Sequence, residues 1–253
     1  MTRSPMSGLL FVFVLISCLF TACSQNNVTE ENSFKKYFDS AGVSGSFGLF
    51  DNGQGHFTIY NLSRFRDSAY LPAATFDIVQ SLIGIQTGLV KDDSALVKTD
   101  RENGFGQLAL RIGKDTLKKW IDSLGYGNKN IGGPIDSFWL NNHLKITADE
   151  QLGLMKKLYF DQLPFFQHTQ SVVRQTMLTE KNANYQLVYK AAGGIGGNGH
   201  GIGWIMGWIE ENKHPYFFVL NLESTGPNLD MPNTGLPVLK SMLGQLGFFQ
   251  GKK

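Results

Sequence analysis

A glycine-rich segment in the last quarter of the chain is the first pattern whose residues could do chemistry. Gly194, Gly196 and Gly199 follow the spacing G-x-G-x-x-G, which holds the phosphates of a dinucleotide when it joins a strand to a helix. Here the segment leads into GIGWIMGWIE, whose branched and aromatic residues predict a strand instead. The pattern therefore predicts a flexible turn between two strands and no nucleotide cofactor.

The histidines and cysteines do not predict a metal site. The five histidines are scattered, with no pair at i, i+4. We expect His200, inside the glycine-rich segment, to be a solvated loop residue, although contact with a ligand is the alternative. Both cysteines, Cys18 and Cys23, lie near the N-terminus, so the remaining chain has no thiolate nucleophile, disulfide or cysteine-based metal site. We expect no metal and no other cofactor.

The composition is that of a globular protein. Hydrophobic residues make up 42% of the 253 positions and charged residues 17%, which is enough to bury a full core. The formal net charge is +2, and no basic run or alternation of basic and aromatic residues is present. We therefore expect no nucleic-acid partner.

The N-terminus has the features of an export signal. Arg3 precedes an apolar run from Leu9 to Phe20, which is too short to span a bilayer comfortably. The run ends in LFTAC and polar residues follow at once, which resembles a bacterial lipoprotein signal with Cys23 as the lipid-bearing residue. Cys18 is a second candidate for that residue, and an ordinary secretory signal is the alternative.

This interpretation divides the N-terminal part of the chain. We predict a signal peptide over residues 1–22, and a lipidated tether with a short helix over residues 23–41, the polar tether reaching to about residue 32. The expected location is the bacterial cell envelope, at the periplasmic face or the outer membrane. The membrane is then a partner through the lipid anchor.

The remaining pattern predicts an α+β domain over residues 42–253. SGSFGLFD and HFTIYN flank a turn-rich NGQG and predict a hairpin, and three aromatic and branched runs near the C-terminus predict further strands. A buried helix should end at Gly88, residues 89–104 are polar and turn-like, and Thr147 and Glu150 have the spacing of a capping box. The hairpin needs the later strands for stability, so we expect one antiparallel sheet of about five strands flanked by helices.

Several segments, in order, resemble class D β-lactamases, the oxacillinase type of penicillin-recognising serine hydrolases. They are GSFGLFD with YNLSRF, YLPAATFDIVQSLIGIQTGLV, LGYGN, IDSFWLNNHLKITADEQLGLMKKLY and GIGWIMGWIE. The third of these contains the YGN motif of the family, as Tyr126, Gly127 and Asn128. The resemblance implies a β-lactamase or transpeptidase-like fold.

The resemblance also places the catalytic positions of the family. Its usual core P-A-S-T-F-K carries a serine nucleophile at the start of the central helix and, one turn later, a lysine that acts as base in carboxylated form. These positions fall on Ala74 and Asp77. Alanine cannot form an acyl-enzyme, and aspartate has no amine to carboxylate. The neighbouring Thr75 points about 100° away on a helix and is a poor substitute.

The other motifs of the family are also altered. The S-x-V motif should precede LALRIG, but the segment there is TDRENGFGQ, which contains no serine. The arginine that holds the substrate carboxylate in the family is also missing, and Thr234 lies near its expected place. K-T-G falls on a lysine followed by two alanines, and the geometry of the family implies that this lysine faces Asp77. The candidate cleft residues are Tyr126, Asn128, Lys190, Ala191 and Ala192.

These losses favour a non-catalytic protein with a binding or scaffold role, whose partner is a peptidoglycan fragment or an envelope protein. Two alternatives stay open. One is a weakly active or rewired hydrolase of β-lactams or peptidoglycan peptides. The other is a β-lactam sensor, which would normally also need the serine.

Overall fold

A seven-stranded sheet lies at the centre of the computed structural model, which describes residues 27–101 and 104–253. The strands in these residues are β1 Val28–Glu30, β2 Ser44–Asp51, β3 His56–Tyr60, β4 Ala69–Tyr70, β5 Ile146–Thr147, β6 Leu178–Lys181, β7 Gln186–Ile195, β8 Gly201–Glu211 and β9 His214–Glu223. The order across the large sheet is β1-β3-β2-β9-β8-β7-β6, and β4 pairs with β5 separately. Only the β1–β3 pair of the large sheet is parallel.

Helices cover both faces of this sheet. They are α1 Lys35–Ser40, α2 Leu62–Asp67, α3 Asp77–Gln86, α4 Asp93–Arg101, α5 Phe105–Ile112, α6 Lys114–Leu124, α7 Ala148–Tyr159, α8 Gln167–Gln175 and α9 Leu236–Gln245. One hydrophobic cluster joins the sheet to α3 and α7, and a second joins its other face to α1 and α9. The α+β class, the β2–β3 hairpin, the three later strands and the capping box at the start of α7 are confirmed.

The prediction of about five strands was wrong, because the large sheet has two more, β1 and β6. They are its two edges, with three and four residues and mostly exposed side chains. Such short polar strands have no alternation for sequence reasoning to detect. The predicted tether is also shorter than expected, since β1 pairs with β3 and Val28 packs against the core.

The prediction of a turn-like segment over residues 89–104 was wrong as well, because α4 occupies most of it. The side chain of Asp92 accepts a hydrogen bond from the backbone N–H of Ala95 at 2.9 Å, which stabilises the start of this helix. Over residues 93–100, where burial is described, only Leu96 is almost fully buried. A polar helix with so little apolar surface gives a weak periodic signal.

Residues 1–26, with both cysteines, lie outside the described residues, so the predictions of a signal peptide over residues 1–22 and of lipidation at Cys23 stay predictions. Within residues 27–101 and 104–253, no helix combines the length and the apolar character needed to cross a bilayer.

Candidate functional site

A short 3-10 turn, Ala73–Phe76, leads directly into α3 and carries Ala74 at its second position. The indole N–H of Trp204, fully buried on β8, donates a hydrogen bond to the carbonyl of Leu71 at 2.9 Å and fixes the approach to this turn. Strand β7 lies against the same segment, since a Cβ on Gly194 would stand 2.8 Å from Leu71 Cδ1. Ala73 has φ +49°, a conformation uncommon for residues other than glycine. The turn is therefore held tightly between β7 and β8.

Thr75 is not available for chemistry. Its side chain is fully buried. Its hydroxyl donates to the carbonyl of Pro72 at 2.6 Å and accepts from Gln151 Nε2 at 2.8 Å. The first bond stabilises the turn itself and the second ties α7 to it, so Thr75 has a structural role.

Asp77, the first residue of α3, faces Lys190 on β7, as the family geometry implied. Lys190 Nζ lies 3.4 Å from Asp77 Oδ2 and also 3.4 Å from Asp100 Oδ1 on α4. Sequence reasoning missed Asp100 because it lies in the segment that was predicted to be a turn. The available signal was its place in TDRENGFGQ, where the S-x-V motif of the family was expected.

Burial dominates the electrostatics of Asp77. Its residue surface is 6% exposed. Burial raises the pKa of its carboxyl from 3.8 to about 7, while the ammonium of Lys190 opposes the rise and Asp100 adds to it. Asp77 therefore changes its charge near neutral pH.

A cavity of about 200 Å³, called the acidic cavity below, opens beside this group. Its charged side chains are those of Asp77, Asp100 and Lys190, and Ser81, one helical turn after Asp77, also lines it. The walls are otherwise mainly apolar and come from α3, α4, α5, the end of α8 and β6. Ala74 does not line this cavity.

The alanines that follow Lys190 on β7 contribute no polar group. Ala192 is buried, whereas Ala191 packs on the opposite hydrophobic cluster, beside α9. Neither lines the acidic cavity. Thr234 lines a different cavity, near α1.

Tyr126 and Asn128 lie apart from the acidic cavity and have structural contacts. Tyr126 is buried edge-on against Phe76 at a centroid distance of 5.5 Å, and burial raises the pKa of its phenol. The side chain of Asn128 donates to the carbonyl of His143 at 2.8 Å and accepts from the backbone N–H of Lys145 at 3.1 Å. Their roles as ligand-cleft residues stay predictions.

The glycine-rich segment joins β7 to β8, as predicted for a turn between strands. His200 Nδ1 lies 3.0 Å from Glu223 Oε1, and Asn198 and Arg64 contact the same carboxylate. Across the described residues, no three histidine, cysteine or acidic side chains cluster as metal ligands would.

Comparisons with known proteins agree with this architecture. A family model described as the penicillin-binding protein transpeptidase domain matches residues 100–242. The chain is 32% identical over 235 residues to β-lactamase OXA-5 of Pseudomonas aeruginosa, covering 83% of this chain and 87% of that protein. This sequence match extends across most of both proteins.

Two solved structures show the same fold. The class D β-lactamase YbXI from Nostoc has a TM-score of 0.78 at 30% identity, over 86% of this chain and 99% of the other. The C-terminal domain of the BlaR penicillin receptor of Bacillus licheniformis has the same TM-score at 23% identity, over 88% of this chain and 97% of that one, which indicates the fold alone. The protein is thus a penicillin-binding transpeptidase-type domain. Within that class, the chain belongs to the class D β-lactamase-like family.

Proposed function

We propose that this protein is a non-catalytic member of the family, with a binding or scaffold role at the bacterial cell envelope. The observation that carries the proposal is Ala74, which stands at the position of the family's serine nucleophile and offers no atom for acylation. The adjacent hydroxyl, on Thr75, is buried and hydrogen-bonded on both sides.

The group at the position of the catalytic lysine supports the same conclusion. Asp77 is engaged with Lys190, and its buried carboxyl has no amine that could be carboxylated. The hydroxyls of S-x-V and K-T-G are also missing. Sets of catalytic residues act as a unit, so losing the nucleophile alone removes most of the rate.

A labelling experiment tests the absence of acylation. The purified protein and an active class D enzyme are incubated with a fluorescent penicillin and then analysed by intact-mass measurement. We expect a covalent adduct on the active enzyme and an unchanged mass for this protein, because position 74 cannot form an ester.

A stoichiometric adduct on this protein would contradict the proposal and favour the rewired hydrolase or the sensor. Peptide mapping would then locate the nucleophile, and a Ser81→Ala variant would test the hydroxyl that lies one helical turn after Asp77 in the acidic cavity.

We also propose that lipid on Cys23 attaches the protein to the membrane, and that its partner is a peptidoglycan fragment or an envelope protein. The LFTAC segment and the polar run after it support the anchor. A single acyl chain binds a membrane weakly, so the multiply acylated form typical of lipoproteins is the one that would anchor stably.

Replacing the lipidated cysteine tests the location. We expect Cys23→Ala to release the protein from the membrane fraction or to leave its signal uncleaved, as measured by fractionation and metabolic labelling with a fatty acid. Cys18→Ala is the matched control and should change neither. If Cys18→Ala abolishes labelling and Cys23→Ala does not, the site is Cys18.

A further inference from the structure

We propose that the acidic cavity binds a primary aliphatic amine in its ammonium form, held by Asp77, Asp100 and Ser81. This inference rests on the proposed non-catalytic function, because Asp77 stands at the position of the family's catalytic base and can hold a ligand only in a protein that does not need that base.

The charges lining the cavity favour a cation. Two carboxylates share one ammonium, that of Lys190, so the set is negative when both acids are ionised. Both contacts are 3.4 Å long, whereas charge-assisted N–H···O bonds are normally about 2.7–2.9 Å. Among the described residues, Asp77 accepts from no other group. The carboxylates therefore keep acceptor capacity that a second ammonium would fill.

Ser81 is an independent sign of a ligand. It is 95% buried, lines the cavity, and its hydroxyl has no hydrogen-bond partner among the described residues. The hydroxyl of Ser81 therefore has a free hydrogen-bonding capacity that a group inside the cavity can use. Asp77 and Ser81 are four residues apart on α3 and share a helical face. An ammonium has three N–H donors, which match the two carboxylates and this hydroxyl.

The size and the walls of the cavity define the rest of the ligand. A volume of about 200 Å³ holds about six groups the size of a water molecule. Apolar side chains make up much of the wall, and near the opening Val97 is 36% exposed and Leu178 is 55% exposed. The cavity therefore fits an unbranched chain of a few carbons with its ammonium beside Asp77 and Asp100. The side chain of a lysine residue and a free alkylamine share this chemistry.

Calorimetric titration of the folded protein with n-pentylamine at pH 8 tests the proposal. The amine is then protonated, since alkylammonium groups resemble lysine with a pKa near 10.4. We expect n-pentylamine to bind at least about tenfold more tightly than pentan-1-ol or pentanoate, because a charged hydrogen bond to a buried carboxylate such as that of Asp77 is strong. Equal affinity for the alcohol, tighter binding of pentanoate, or no binding of the amine would each overturn the proposal.

Variants connect the binding to the cavity. We expect Asp100→Asn and Ser81→Ala each to weaken the binding of n-pentylamine severalfold, a modest effect for Asp100 because its side chain is 59% exposed. Asp93→Asn, an exposed change on the same helix but outside the cavity, should have no effect. If Asp100→Asn leaves the affinity unchanged, the amine binds elsewhere and the proposal is wrong.

The source of the amine and the link to the proposed function are tested separately. Nα-acetyl-lysine methylamide, tested after n-pentylamine, shows whether the side chain of a peptide can enter as well as a free alkylamine. A penicillin adduct would contradict the non-catalytic function whatever the amine result. Absence of amine binding without such an adduct would contradict only this inference.

Discussion

Asp77→Asn should stabilise the protein more at pH 8 than at pH 5. The effect of the substitution on the free energy of unfolding should be about 2–3 kcal/mol more favourable at pH 8 than at pH 5. The carboxyl of Asp77 ionises near pH 4 in the unfolded chain and near pH 7 in the folded protein. Between these values the folded state binds more protons, so the unfolding free energy falls as the pH rises towards 7. Asparagine imitates the neutral acid and removes this fall.

The measurement is urea denaturation of both proteins at several pH values from 5 to 8. Asp100→Asn is the matched control, because its side chain is 59% exposed and its pair with Lys190 is screened by solvent. Its stability should change by less than about 1 kcal/mol, with a pH profile parallel to that of the unaltered chain. Parallel profiles for Asp77→Asn as well would mean that Asp77 is an ordinary ionised carboxylate throughout this range.

Installing Ala74→Ser together with Asp77→Lys should not restore β-lactam turnover. The serine would regain a helix start and a neighbouring lysine. It would still lack the S-x-V hydroxyl, the K-T-G hydroxyl at Ala191 and an arginine for the substrate carboxylate. Each missing hydrogen-bonding group at a transition state can cost about 10²–10³ in rate. Even far from additive, these losses leave activity near background.

The structure adds a further obstacle to that double variant. Lys190 already contacts Asp100, so a lysine at position 77 would place a second ammonium beside the same carboxylate. A protonated, ion-paired lysine is a poor base. Turnover would therefore be limited by the electrostatics of the site as well as by its missing hydroxyls.

Hydrolysis of a chromogenic cephalosporin, beside an active class D enzyme, measures the result. We expect the double variant to remain more than about a hundredfold slower than that enzyme. Adding Asp100→Ser should raise its turnover if the missing S-x-V hydroxyl is a cause. Turnover of the double variant within about a hundredfold of the active enzyme would show that only two residues separate this chain from catalysis.

The prediction of the fold depended on particular local signals. The hairpin around NGQG, the capping box of Thr147 and Glu150, and the aromatic strands near the C-terminus each follow from short-range chemistry. The edge strands β1 and β6 do not follow from local signals, because pairing with residues distant in sequence stabilises them. The helix α4 does not either, because few of its side chains are deeply buried. Missing α4 meant missing Asp100.

The sequence by itself determined the family of this protein and the loss of its nucleophile, since the identity of residue 74 excludes acylation whatever its surroundings. It also paired Asp77 with Lys190 through the resemblance. Only the tertiary structure decided how buried Asp77 is, that Asp100 shares the same ammonium, and that Ser81 faces a cavity without a partner. The physical reason is that burial, electrostatic environment and cavity shape arise where segments distant in sequence pack together, which no local pattern records.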